Sequence, residues 1–146
     1  MSQSPNRLVA VIVGAIYVAL GLVGFTATAG VDFVSTTGGF LFGVLGVNVL
    51  QNIVHVAIGA TLLGAGLSGV RLAKGANSAV GALLLALGLA GLFVVGTDSN
   101  ILALNGADNV LHFGSSIVLL AVGLGADKPA AVSAPTGERP SGSPRS

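Results

Sequence analysis

The sequence predicts an all-α integral membrane protein, a four-helix bundle built from two tandem helical hairpins. Three observations support this fold class. Of the 146 residues, 53% are apolar and 8% are charged, and that charged content is roughly a third of what a soluble domain carries. Four runs are each long and apolar enough to cross a bilayer, which takes about 20 residues. The second pair of runs also repeats the first pair, as expected for a duplicated hairpin.

The composition also excludes several classes of protein. The chain has no cysteine, so a disulfide framework and a Cys-based metal or redox site are excluded. The net charge is +1, and the basic residues are scattered singly, so the sequence has no basic patch that could bind nucleic acid. The partner that this composition predicts is the lipid bilayer.

The four predicted spans form one transmembrane domain over residues 8–125, and they cover about residues 8–28, 47–67, 77–95 and 108–125. Their many glycines remain compatible with helices, because a backbone in lipid must satisfy its own hydrogen bonds. Residues 1–7 are a short cytoplasmic lead. Residues 126–146 are rich in Pro, Ala and Ser and cannot bury enough apolar surface to offset their ordering entropy. We expect them to be a disordered cytoplasmic tail.

The charged residues predict the orientation. With four spans and the N-terminus inside, three acidic residues (Asp32, Asp98 and Asp108) lie outside. All six basic residues then lie in the cytoplasm, as the positive-inside rule requires: Arg7, Arg71, Lys74, Lys128, Arg139 and Arg145. We therefore expect a multi-pass protein of the bacterial inner (plasma) membrane with both termini cytoplasmic. A cleaved signal peptide is the less favoured alternative, because the first apolar run exceeds the usual core of about 7–15 residues.

The two halves of the chain are similar in sequence. Residues 14–24 match residues 81–91 in the order of small and large side chains, and Asn52-x-x-His55 matches Asn109-x-x-His112. These are the only two histidines of the chain. We expect two hairpins related by a pseudo-two-fold axis along the membrane normal, with helices 2 and 4 facing each other. Glycines that allow close helix packing recur on helices 1 and 3: Gly14, Gly21, Gly24, Gly81, Gly88 and Gly91.

Two stretches carry a resemblance to a known family. One runs from Val49 to Gly59 and includes Asn52 and His55, and the other runs from Asp98 to His112. Together they resemble the actinobacterial membrane proteins grouped as domain of unknown function 4383, over about residues 7–126. The resemblance implies a four-helix inner-membrane protein and brings no activity with it. Many relatives have a His-Asn pair where this chain has Gln51-Asn52.

A polar layer crosses helices 2 and 4 inside the predicted membrane region. On each helix its residues recur at spacings that share one helix face. The structural interpretation is a polar clamp between the two helices, with Asp108 and the first asparagines as helix caps. Its members are Asn48, Asn52, His55, Asn105, Asn109, His112 and Asp108. The protein would then be a structural or accessory subunit, which assembles with itself or with a larger complex through its glycine faces.

Two other functions remain open at this point. His55 and His112 could hold a cofactor such as haem b or a quinone, since bundles build such sites from facing helices. Alternatively, the repeat and the outer acidic residues would suit a narrow transporter of cations or small molecules, although the inner halves of the spans contain few polar residues. Two imidazoles are few for a divalent metal, because structural zinc takes four ligands. We predict no metal site, no catalytic residues and no specific activity.

Overall fold

Four long helices make up a computed structural model that describes residues 4–127. They are α1 (Pro5–Gly24), α2 (Val49–Ser68), α3 (Val70–Val94) and α4 (Gly106–Gly125). Each is long and apolar enough to cross a membrane, which confirms the predicted all-α, four-helix membrane bundle. Residues 1–3 of the predicted lead and residues 128–146 of the predicted tail lie outside the described residues.

The first helix begins earlier than the span predicted from residue 8. The Ser4 hydroxyl accepts a hydrogen bond from the backbone N–H of Arg7 and so caps the helix. Pro5 occupies the first helical position, where the amide it lacks would have no helical partner. One turn of 3-10 helix over Phe25–Ala27 follows the end of α1.

The connection between α1 and α2 contains a small antiparallel hairpin, which the sequence analysis did not predict. Its strands are β1 (Gly39–Leu41) and β2 (Leu45–Val47), with Phe40 opposite Gly46. The turn between them has positive φ at Phe42 (54°) and at Gly43 (71°). Glycine adopts that conformation without steric cost, so Gly43 helps the chain to reverse there.

The junction of α2 and α3 is a single residue, Gly69, with φ 156° and ψ 169°. This region of the backbone map is open almost exclusively to glycine. Helix α3 therefore begins at Val70, ahead of the predicted span start near residue 77. Arg71 and Lys74 lie in its first turns and not in a loop.

The helices pack as two hairpins, α1 against α2 and α3 against α4. A Cβ on Gly59 would lie 2.5 Å from the backbone nitrogen of Val18, and one on Gly14 would lie 2.7 Å from that of Leu63. Such approaches require glycine. The glycines predicted to form packing faces all contact the partner helix of their own hairpin: Gly14, Gly21, Gly24, Gly81, Gly88 and Gly91.

An apolar cluster fills the middle of the bundle and joins the two hairpins. Its buried members are Tyr17, Ile58, Leu62, Val80, Leu84 and Leu119. Large apolar side chains also cover the outside of the bundle, such as Phe93, which is 81% exposed, and Val110, which is 73% exposed. Helices that are apolar on both their inner and outer faces suit a bilayer.

The bundle has two ends, which we call the loop end and the terminal end. The loop end carries the α1–α2 and α3–α4 connections. The terminal end carries Gly69 and both ends of the described chain. Asp32 and Asp98 belong to the connections at the loop end, whereas Arg7, Arg71 and Lys74 belong to helix segments at the terminal end. The other three basic residues, Lys128, Arg139 and Arg145, lie outside the described residues.

Candidate functional site

The predicted polar residues of α2 and α4 lie at the loop end, at three levels, and all of them are buried except Asn105, which is half-buried. Asn48, Asn105 and Asp108 form the cap level, at the helix starts. Asn52 and Asn109 lie about one turn further in, and His55 and His112 about two turns further in. Each level has a different set of contacts, so the seven residues are not one continuous network.

At the cap level, two asparagines make matching bonds between the hairpins. The Asn48 side chain caps α2 by accepting from Gln51 N at 2.8 Å, and its Nδ2 donates to the carbonyl of Ile101 at 2.8 Å. Asn105 caps α4, and its Nδ2 donates to the carbonyl of Val44 at 2.8 Å. Each asparagine thus starts one helix and binds the loop of the other hairpin.

Asp108 is the centre of the cap level and is completely buried. Its Oδ2 accepts from the backbone N–H of Asn105 at 2.9 Å and from that of Gly46 at 3.1 Å. Its Oδ1 accepts from Gln51 Nε2 at 3.4 Å. Asp108 therefore completes a capping box on α4 and also ties that helix to β2 and α2.

The second level lies within the hairpins and not between them. Asn52 packs against Gly24 of α1, and Asn109 packs against Gly91 of α3, with no room for a Cβ at either glycine. Asn52 Nδ2 also donates to Thr28 Oγ1 at 3.3 Å. These asparagines therefore determine how closely α1 packs against α2 and how closely α3 packs against α4.

At the third level the two histidines meet in the middle of the bundle. Their ring centres are 6.4 Å apart, and the Tyr17 ring lies edge-on to His55 with centres 5.4 Å apart. His55 is 1% exposed and His112 is 2% exposed. Both ring nitrogens of His55 and Nδ1 of His112 are buried with no hydrogen-bond partner among the described residues.

Several members of this site were not singled out in the sequence analysis. Gln51 connects α2 to Asp108, and Tyr17 packs against His55 with its hydroxyl buried and unpaired in the described part of the chain. Gln51 could have been found, since it occupies the position of Asp108 in the repeat. Nothing in the sequence pairs Tyr17 of α1 with a residue of α2.

A second polar cluster at the terminal end was also missed. Asp127 Oδ2 accepts from Ser4 Oγ at 2.8 Å and from Asn6 Nδ2 at 2.9 Å. Asn77 Nδ2 donates to the Asn6 side-chain oxygen at 3.0 Å. Hydrogen bonds from the Asn6 side chain and the Ser4 hydroxyl hold the pKa of Asp127 below its ordinary value. This cluster, Ser4, Asn6, Asn77 and Asp127, joins α1, α3 and the end of α4.

The histidine pair does not fit a haem. A macrocycle between the rings needs a flat slot that extends beyond them on every side. Here the Gln51–Asp108 bond crosses from α2 to α4 one turn toward the loop end, and Tyr17 lies against His55. On the side of the terminal end, the space is also filled, because Ser116, one turn beyond His112, is only 1% exposed. Within residues 4–127, no group of three or more His, Cys, Asp or Glu could hold a metal ion.

Comparison with known proteins gives one match. No curated protein and no solved structure matches the chain. Residues 7–125 match the model of a family described as "Domain of unknown function (DUF4383)". That range contains all four helices from Arg7 onward and every residue of the three polar levels. Because the match covers most of the sequence, the chain belongs to the DUF4383 family.

Proposed function

We propose that this protein is a structural or accessory subunit of the bacterial inner membrane, a rigid four-helix unit held closed by a polar clamp at its loop end. The clamp of this proposal differs from the one predicted from the sequence, since it omits Asn52, Asn109 and the two histidines and includes Gln51. Its members are Asn48, Asn105, Asp108 and Gln51. The single observation that carries the proposal is the matching pair of bonds from Asn48 to Ile101 and from Asn105 to Val44. In these two bonds, the residues that cap α2 and α4 connect one hairpin to the other.

The proposal includes the duplication suggested by the repeat. Asn48 corresponds to Asn105 in the repeat, and Val44 corresponds to Ile101, so the two bonds are equivalent under a pseudo-two-fold operation. Arg7 and Lys74 also correspond. Arg7 Nε donates to the Gly66 carbonyl near the end of α2, and Lys74 Nζ donates to the Ala126 carbonyl after α4. Cations at helix C-termini are stabilising, and here the same device occurs in both halves.

The interior of the bundle favours a structural role over transport. The fully buried Leu62, Leu84 and Leu119 lie between the histidine level and the polar cluster at the terminal end. A cation passing along the bundle axis would have to cross this apolar layer without replacement for its hydration, which is costly. The described polar side chains of the two ends are bonded mainly to each other and to the backbone.

Assembly with another protein, or with a second copy, would use other glycines than those expected. Gly14, Gly21, Gly24 and their counterparts are already occupied within the chain. Gly64, Gly75 and Gly114 lie in helices with no atom within 4 Å of a Cβ added to them. A helix-interior glycine costs about 0.5–1 kcal/mol relative to alanine, and close approach of a partner helix would offset that cost.

The clamp can be tested separately from the caps. Asn48→Asp and Asn105→Asp keep an oxygen to cap the helix but remove the Nδ2 donor and place a carboxylate against a carbonyl. We expect Asn48→Asp to lower the free energy of unfolding by about 1–3 kcal/mol, as for a buried group left unsatisfied. Asn105→Asp should lower it by less, because Asn105 is half-buried and its bond to Val44 is exposed to solvent. The measurement is thermal unfolding of the full chain in detergent, with Thr37→Ala, an exposed site in the same connection, as the control. Unfolding midpoints equal to that of the control would refute the clamp.

A further inference from the structure

We propose that His55 and His112 form a binding site for a single monovalent, imidazole-binding metal ion, with Cu(I) as the physiological candidate. The site is independent of the clamp, which belongs to the cap level, and it goes beyond the structural role.

The geometry of the two rings suits one shared ion. Metal–imidazole bonds are about 2.0–2.1 Å long, and a ring centre lies about 1.2 Å behind its nitrogen, so a two-coordinate ion separates the centres by at most about 6.5 Å. The observed ring centres are 6.4 Å apart and the ring planes make an angle of 70°. This separation is within the limit, so an ion between the rings would bind in an almost straight N–metal–N arrangement once one nitrogen of each ring turns toward it. Tyr17 packs edge-on against His55 and restricts the movement of that ring.

The nitrogens themselves require a partner. Each neutral imidazole offers one lone pair and one N–H, and a buried polar group left unpaired costs about 1–3 kcal/mol. His55 has two such atoms and His112 has at least one among the described residues. Binding takes one lone pair from each ring, so no proton is released and no electron is transferred.

The charge of the neighbourhood selects a monovalent ion. Asp108 lies one turn before His112 and accepts three hydrogen bonds, all from neutral donors: Gln51 Nε2 and the backbone N–H groups of Gly46 and Asn105. That pattern belongs to a carboxylate. Buried charges are paired or coordinate metals, and one positive charge at the histidine pair would make the layer neutral.

The number of ligands excludes zinc and favours Cu(I). Structural zinc takes four ligands, and residues 4–127 bring no third His, Cys, Asp or Glu to the pair. A filled-shell monovalent ion such as Cu(I) is stable with two nitrogen ligands, and copper binds imidazole strongly. The chain has no cysteine and one methionine, so little sulfur competes for a soft ion.

The test uses Ag(I) as a redox-stable probe and then Cu(I) under anaerobic reducing conditions. The full chain carries an affinity tag without histidine and is kept in detergent and chloride-free buffer, and bound metal is measured after dialysis. We expect one equivalent per chain, with affinity at least tenfold weaker in His55→Leu and in His112→Leu. Thr61→Val, an exposed position of α2, is the matched control and should bind as the unmodified chain does.

Two readouts keep the outcome clear if a histidine variant folds poorly. X-ray absorption of the Cu(I)-loaded chain should show two nitrogen neighbours, and Asn48→Ser, which keeps a capping oxygen, removes the Nδ2 donor and adds no charge, should bind metal normally. Binding far below one equivalent, binding unchanged in both histidine variants, or a first shell without two nitrogens would each overturn the proposal.

Discussion

At the scale of single residues, the close approach of α1 to α2 depends on Gly14 and Gly59. Their hypothetical Cβ atoms would meet backbone atoms of the facing helix, which cannot move aside as a flexible side chain can. In a membrane, association of helices depends on packing more than on hydrophobicity. These two glycines are therefore the residues to which the first hairpin should be most sensitive.

We expect Gly59→Ala to destabilise the protein by about 1–3 kcal/mol, as overpacking of a well-packed interior does. Thermal unfolding in detergent measures the change. The matched control is Gly64→Ala on the same helix, where an added Cβ meets nothing within 4 Å. That substitution should be neutral or stabilising by up to about 1 kcal/mol. Equal changes in both variants would contradict a requirement for glycine at the contact between Gly59 and α1.

The sequence predicted which residues cap the helices better than it predicted which side chains contact each other. The cap roles of Asn48, Asn105 and Asp108 followed from their positions before apolar runs. The structure has Asn48 and Asn105 as the N-cap residues, whereas Asp108 is the third residue of α4 and completes the capping box. The packing of Asn52 against Gly24 depends on the rotation of α1 relative to α2. A single sequence does not specify that rotation, because the first helix is apolar almost all round.

At the scale of elements, the four helices were predicted because length and hydropathy alone determine which runs can cross a bilayer. The positions of the helix ends were predicted less accurately. Arg71 and Lys74 interrupt the hydropathy pattern but not the helix, so α3 extends beyond the predicted span. The β1–β2 hairpin has three residues in each strand, too short for an alternating pattern to be recognised. Its position depends on Asp108, which is distant in sequence.

The cluster at the terminal end predicts a pH dependence. The pKa of Asp127 is lowered in the folded protein, chiefly by the Asn6 side chain and the Ser4 hydroxyl. Its carboxylate therefore stabilises the fold above the ordinary pKa of 3.8, and this contribution is lost as the pH falls through and below that value.

Between about pH 6 and about pH 3 the unfolding midpoint should fall further for the unmodified chain than for Asp127→Asn. Comparing the two proteins removes the contribution of the other carboxylates, which are the same in both. Because Asp127 is only half-buried, the difference should be small and concentrated in α1. Hydrogen exchange at the first turn of that helix reports it directly. Parallel pH profiles for the two proteins would exclude this role for Asp127.

At the scale of the whole molecule, two hairpins are joined by polar bonds at both ends and by apolar packing between them. The loop end has the clamp, the terminal end has the cluster around Asn6 and Asp127, and the apolar residues around Leu62 separate them. Every described basic residue belongs to a helix segment at the terminal end. We therefore expect the bundle to have a definite orientation, with the clamp on the outer side of the membrane.

Cysteine labelling tests this central claim most directly, and the natural chain has no cysteine to interfere. Thr37→Cys places a thiol at an exposed position of the loop end, and Ser68→Cys places one at an exposed position of the terminal end. In intact cells, a membrane-impermeant maleimide should label Thr37→Cys and leave Ser68→Cys unlabelled until the membrane is permeabilised. Labelling of Ser68→Cys in intact cells, or of both positions from the same side, would contradict a four-span protein with its clamp outside.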